Sequence, residues 1–176
     1  MKKHLLITSI LLHAVFIIAV YIFQSVIFPL MQINGVVPLL LPVAAIGIAL
    51  YEGRDIGGIV GLFAGILCDI SFNQPAGVFT VLLTITGLVV GTLADTVILR
   101  GFVTYYISSV AILIVSAFVQ LFPLMLTQSD TIPVNAVISI AMQQTAYSLV
   151  LAFPIWFFVR ALGKRADKVS SSGHVY

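Results

Sequence analysis

The length of the stretches without a charged side chain constrains this chain most. Residues 4–51, 70–94, 101–129 and 131–159 contain no Asp, Glu, Lys or Arg. A helix that crosses a bilayer needs about 20 mainly apolar residues, so residues 4–51 are long enough for two crossings. Only 8% of the residues are charged, against about a quarter in soluble domains. The sequence therefore predicts an all-α integral membrane protein.

Prolines, glycines and short polar breaks divide these stretches into six predicted transmembrane helices. Their expected bounds are about Leu5–Phe28, Val36–Tyr51, Gly57–Phe72, Gly77–Ala94, Phe102–Leu126 and Pro133–Val159. Pro38 and Pro42 predict an irregular or kinked first half of helix two, because a proline removes a backbone donor and clashes with the preceding turn. Residues 1–168 are thus expected to form one six-helix membrane domain, and residues 169–176 a disordered cytoplasmic tail.

The basic residues predict the orientation. All eight Lys and Arg fall in residues 1–4, 52–55, 95–100 and 160–176, which share one side of a six-helix topology. Cytoplasmic segments carry the excess of Lys and Arg, so both termini are predicted to be cytoplasmic. The basic segment Arg160–Lys168 is then a topology anchor attracted to anionic lipid. A five-crossing chain would place one of the basic ends outside, so helix three is expected to cross fully although its uncharged part is short.

Helix three carries a ridge of small residues that ends in an acid. Gly57, Gly61 and Gly65 are four residues apart, and Asp69 follows at the same spacing. These positions form a slanting line on one side of an α-helix, and small residues let membrane helices approach to backbone contact. A similar pattern, Gly87, Gly91 and Asp95, follows on helix four; we interpret this echo as a coincidence in a glycine-rich chain. The ridge predicts a helix-packing site that also involves Gly77.

Asp69 lies within the membrane in this topology, which makes it a candidate functional residue. Its simplest role is structural: the carboxylate caps a neighbouring helix, such as helix four near Gly77. A contact with a partner's membrane segment and a role in ion or solute coupling are the alternatives. Glu52, Gly53, Arg54 and Asp55 form a charged turn, either simply solvated or a docking surface for a cytoplasmic partner.

No catalytic set is evident in the sequence. The histidines lack a second ligand at metal spacing, and Gly57-Gly58 lacks the Lys-Ser/Thr of a phosphate-binding loop. His13, in the middle of helix one, is expected to be a neutral side chain that hydrogen-bonds across a helix pair. We therefore expect no enzymatic activity, no cofactor and no metal.

The residues from 36 to 100 resemble the MreD family of small membrane proteins in the bacterial rod-shape machinery. The similarity is carried by Val37-Pro38-Leu39-Leu40-Leu41-Pro42, the turn Glu52-Gly53, the stretch Gly61-Leu62-Phe63-Ala64-Gly65-Ile66-Leu67-Cys68-Asp69, and Gly77. The family's Gly-Phe pair is shifted here, since Leu62 precedes Phe63, and Ile66-Leu67-Cys68 stands where Leu-Leu-x is usual.

The resemblance implies a non-enzymatic scaffold of the bacterial cytoplasmic membrane. Its partners would be a single-span MreC-type protein, the MreB filament, and RodA with its penicillin-binding protein in the wider elongasome. The alternative is a substrate-binding S-component of an energy-coupling-factor vitamin transporter, which has a similar six-helix outline. The Ala-x3-Ala motif of S-components is missing, because Ala14 and Ala19 are five apart. The neighbouring genes would distinguish these two functions: mreB and mreC genes would support the scaffold, and genes for an ATPase and for vitamin metabolism would support the S-component.

Overall fold

The computed structural model describes residues 2–32, 35–72, 77–97, 101–127 and 134–171, and the predicted all-α class is confirmed for them. The six α-helices are α1 (Lys2–Ile22), α2 (Leu40–Glu52), α3 (Arg54–Phe72), α4 (Val78–Val97), α5 (Phe102–Thr127) and α6 (Val134–Ser171).

Four helical stretches are long and apolar enough to cross a membrane, and the first of them continues from α1 through the helical turns that follow it. The stretches are Ile10–Met31, Val78–Thr96, Phe102–Gln120 and Ile138–Gly163. The chain is therefore of the multi-pass membrane type. Of the other two helices, α2 is apolar but only 13 residues long, and α3 carries Arg54, Asp55 and Asp69. The count of six crossings stays a prediction.

Helix α2 forms the centre of the fold. Every residue from Leu40 to Leu50 is buried, and α2 contacts all five other helices. Its sequence in this range, LLPVAAIGIAL, has no polar side chain, as is typical of a helix that is surrounded on all sides. The other helices each bury one face against it and expose large apolar side chains on the other.

The start of α2 corrects the predicted bounds of helix two. The helix begins at Leu40 rather than Val36, and residues 36–39 are non-helical. Pro42 is the third helical residue, where its missing N–H belongs to the first turn and has no intrahelical acceptor in any case. The predicted irregularity is confirmed, and it lies before the helix instead of within it.

The other helices also differ from their expected bounds: α3 begins at Arg54 instead of Gly57, and α4 ends at Val97 instead of Ala94. α1 ends at Ile22, and a π-helical turn (Phe23–Ile27) and a 3-10 turn (Phe28–Met31) complete the expected span. α6 continues to Ser171 instead of ending near Val159, because Ala, Lys and Arg are good helix formers. The basic segment and the first three residues of the expected tail are therefore helical, while residues 172–176, Asp130 and Arg100 lie outside the described residues.

Candidate functional site at the α3–α4 interface

The predicted glycine ridge brings α3 and α4 into backbone contact. A β-carbon added at Gly57 would meet Gly87, one added at Gly61 would meet Leu83, and one added at Gly65 would meet Thr80. One added at Gly91 would meet Gly53 and Arg54, so the two helices run antiparallel. A β-carbon at Gly57 would lie 2.8 Å from the carbonyl oxygen of Gly87. Side chains do not fit at such distances. The ridge is a packing surface within the chain, and α4 already occupies it.

Asp69 caps the N-terminus of α4, so its structural interpretation is confirmed. Its Oδ1 accepts a hydrogen bond from the N–H of Phe79 (2.9 Å). Its Oδ2 accepts from the N–H groups of Gly77 (3.0 Å) and Thr80 (3.1 Å) and from the Thr80 hydroxyl (2.6 Å). Helix N-termini carry unpaired N–H groups and partial positive charge, which suits a carboxylate. Both oxygens of the acid are thus engaged by the N-terminal turn of α4.

Asp95 plays the corresponding role for α3. Its Oδ2 accepts a hydrogen bond from the N–H of Arg54 at 3.0 Å. Its carboxylate lies against Gly53, where an added β-carbon would be 2.6 Å from Oδ1. Each helix of the pair thus supplies, near its C-terminal end, the carboxylate that caps the other helix.

The interpretation of the glycine echo as a coincidence is therefore wrong. Each residue of the α4 pattern lies 26 positions after its α3 counterpart, and the contacts repeat at the same offset. Gly61 lies against Leu83 as Gly87 lies against Gly57, and Gly65 lies against Thr80 as Gly91 lies against Arg54. The two helices are related by an approximate two-fold axis. In both copies of the pattern the glycines allow close packing and the acid caps the other helix.

Gly77 is needed for the turn that presents α4 to Asp69. Its φ is +101°, a left-handed conformation that side chains other than glycine adopt rarely. Its N–H donates to Asp69, and no atom of the described part of the chain lies within 4 Å of its side-chain position. The role of Gly77 is conformational and not a matter of close packing.

The charged turn is divided between buried and exposed residues. Gly53 is buried with a φ of +83°, and the Glu52 side chain is 11% exposed with its Oε1 3.5 Å from Nε2 of His13. His13 is itself buried, in agreement with a contact across a helix pair. Arg54 and Asp55 are exposed. Of the four predicted docking residues, only these two have exposed side chains.

A polar cluster that the sequence analysis missed holds the start of α2. Gln24 Oε1 accepts hydrogen bonds from the N–H groups of Leu40 (2.8 Å) and Leu41 (2.9 Å). Ser148 Oγ accepts from the N–H of Leu39 (2.8 Å), and Gln144 Nε2 donates to the carbonyl of Val37 (3.1 Å). These contacts satisfy backbone groups freed by the non-helical segment, which lipid could not do. In the sequence, this cluster is indicated only by glutamine and serine residues within otherwise apolar stretches.

Two adjacent glutamines provide a test of this cluster. We expect Gln144→Leu to lower the apparent midpoint of thermal unfolding in detergent, because it leaves the half-buried Val37 carbonyl without its donor, at a cost of up to about 1–3 kcal/mol. Gln143→Leu is the matched control, since Gln143 is exposed, and it should leave the midpoint unchanged. Equal midpoints for the two variants would contradict a role for Gln144 in holding the segment.

The described residues contain no group of three or more His, Cys, Asp or Glu side chains placed to hold a metal ion. What the α3–α4 interface provides is a rigid pair of helices with its polar groups paired internally. Comparisons of this chain with profiles of known families, with curated proteins and with solved structures gave no match.

Proposed function

We propose that this chain is a non-enzymatic scaffold subunit of the bacterial cytoplasmic membrane, of the kind that the MreD family represents. In this role it binds an MreC-type single-span protein and links the MreB filament to RodA and its penicillin-binding protein. The sequence resemblance over residues 36–100 supports this proposal. The described part of that range forms the central helix α2 and the α3–α4 pair.

The observation that carries the proposal is that the α3–α4 pair has its glycines and acids on the inside and an apolar face on the outside. Its glycines and both acids serve contacts between the two helices. Between residues 56 and 93, the described exposed side chains are apolar apart from Thr92. A rigid pair with an apolar outer face is suited to pack against membrane helices of a partner.

The proposal includes six crossings with both termini in the cytoplasm. α3 lies beside α4 from Arg54, its first residue, to Gly65 near its other end, so the two helices share one depth. The 19 residues of α3 extend roughly 28 Å, close to the thickness of the hydrocarbon core. Arg54 and Asp55, exposed at the cytoplasmic end, then face the filament side.

Purification of the tagged full-length chain from its own cells in mild detergent tests the proposal. We expect mass spectrometry to identify an MreC-type protein in stoichiometric amount, and depletion of the chain to turn rod-shaped cells round. Recovery of the MreC-type protein in equal amount from an untagged strain would show that the association is non-specific. Normal cell width after complete depletion would contradict the proposal.

The S-component function is the second candidate, and one observation favours it. The side-chain amide nitrogens of Gln24 and Gln120 are buried without a hydrogen-bond partner among the described residues. A small polar solute bound beside α2 would satisfy such groups. This function predicts that the purification instead yields an energising ATPase complex and a bound vitamin.

A further inference from the structure

Two neighbouring polar groups on α5 are buried and have no hydrogen-bond partner among the described residues. They are the hydroxyl of Ser116, a residue that is 0% exposed, and the side-chain nitrogen Nε2 of Gln120. Positions four apart on a helix lie on the same side, one turn from each other. Buried polar groups are almost always hydrogen-bonded to protein or to ordered water. Two unpaired groups on adjacent turns therefore indicate a bound molecule.

The contacts between α5 and α6 place this pair beside the polar cluster at the start of α2. Tyr105 donates its hydroxyl proton to the Ala152 carbonyl at 3.2 Å. Gln144 Nε2 donates to Gln120 Oε1 at 3.4 Å. The two helices therefore run antiparallel, and Ser116 lies one turn from Gln120 in the direction of Tyr105.

Ser148 is level with Ser116 in this register, because it lies one turn from Gln144 in the opposite chain direction. It is fully buried, and its Oγ accepts the hydrogen bond from the N–H of Leu39. Gln24 Oε1 accepts from the next two N–H groups of the chain. The Nε2 of Gln24 has no partner among the described residues either. The unpaired groups thus lie around the first turn of α2.

The orientations of the two amides follow from their hydrogen bonds. Exchanging the oxygen and nitrogen of Gln24 would turn its NH₂ group toward two backbone N–H donors. The same exchange in Gln120 would turn its NH₂ group toward the NH₂ group of Gln144. Donors do not pair with donors. Both unpaired nitrogens therefore need an acceptor from outside the described contacts.

The molecule that these groups bind must be small and must accept hydrogen bonds. Both glutamines present N–H donors, and the hydroxyl of Ser116 donates or accepts. Ser116 is 0% exposed and Gln24 2% exposed, which excludes a lipid headgroup and the side chain of another protein. A water that forms hydrogen bonds of about 2.8 Å on each side can join groups one helical turn apart.

We propose that ordered water is bound between α5 and α6 beside the start of α2, where it joins Ser116 Oγ to Gln120 Nε2. A second water bonds Gln24 Nε2. Buried waters of this kind pair polar groups that the protein itself leaves unpaired. They complete the polar surroundings that a non-helical segment needs among membrane-spanning helices. The same groups then need no vitamin, and the proposal does not depend on the scaffold function.

The sign of the stability change in Ser116→Ala tests the proposal on the purified full-length chain. With bound water, we expect the midpoint of thermal unfolding in detergent to fall by about 2–4 °C, the shift for one lost hydrogen bond in a chain of this size. Alanine is the better helix former, so helix propensity acts in the opposite direction. Ser139→Ala is the matched control, since Ser139 is exposed on α6, and it should not lower the midpoint.

A raised or unchanged midpoint in Ser116→Ala would overturn the proposal, because removal of a hydroxyl that is unpaired in the protein stabilises the fold or leaves it unaffected. Gln120→Met should also lower the midpoint, and the double variant should lose less than the sum, since either change removes the shared water. Additive losses would contradict a shared water.

Two further measurements identify the bound molecule. A structure of the full chain in lipid, at a resolution that shows ordered water, should contain water within hydrogen-bond distance of Ser116 Oγ and Gln120 Nε2. Direct pairing of the two side chains would overturn the proposal. Mass spectrometry of a solvent extract of the purified chain should detect no small organic molecule in stoichiometric amount. Such a molecule would overturn the proposal in favour of the S-component function.

Discussion

Replacing Gly61 or Gly65 with leucine is expected to separate α3 from α4 and to abolish the native fold. A β-carbon at Gly61 would meet the carbonyl oxygen of Leu83, and one at Gly65 would meet the backbone of Thr80. Backbone atoms of a packed helix cannot rotate away as a side chain can. We expect a cost of about 3 kcal/mol or more, at the upper end of overpacking effects, and loss of the monodisperse peak in detergent.

The matched control for this prediction is Gly101→Leu. Gly101 has no atom of the described residues within 4 Å of its side-chain position and no positive φ, so leucine should be accommodated with little change in the unfolding midpoint. Gly87→Leu should resemble Gly61→Leu, because the two glycines are equivalent under the approximate two-fold axis. Stable Gly61→Leu protein with a normal unfolding midpoint would contradict the close contact of the two helices.

The sequence alone was sufficient to predict the presence of the helices and the close packing of α3 against another helix. Uncharged runs follow directly from the cost of charge in lipid, and glycines at a spacing of four can serve little else than close helix approach. Asp69 could also be assigned, because an acid in an apolar run needs donors and the start of helix four lies only eight residues away.

The remaining features depend on contacts that are distant in sequence. Gln24 and Ser148 meet the start of α2 from positions 16 and 109 residues away, and no periodicity links them. The capping role of Asp95 was not predicted, because the hydrogen bond between its carboxylate and the backbone N–H of Arg54 requires the antiparallel register of α3 and α4. The end of α6 was misplaced because the basic residues that mark the membrane boundary are also good helix formers.

Asp69→Leu should destabilise the chain strongly, and Asp69→Asn should have an intermediate effect. Leucine leaves three backbone N–H groups and the Thr80 hydroxyl without their acceptor, at about 1–3 kcal/mol for each group that stays buried and unpaired. Asparagine retains one oxygen, but its NH₂ group must face either the N–H of Phe79 or those of Gly77 and Thr80. The measurement is the apparent midpoint of thermal unfolding in detergent, with the order wild type, Asn, Leu.

Asp95→Asn is the matched control, because the exposed Asp95 accepts the hydrogen bond from the backbone N–H of Arg54 with its Oδ2. An amide oxygen can take this position, so Asp95→Asn should shift the midpoint less than Asp69→Asn. Co-purification with the MreC-type partner separates stability from recognition. If Asp69→Asn kept the wild-type midpoint but lost the partner, the negative charge would act on the partner and capping would not be its main role. A parallel loss of both would tie partner binding to the integrity of the α3–α4 pair, since a helix pair without its caps cannot present a fixed outer face.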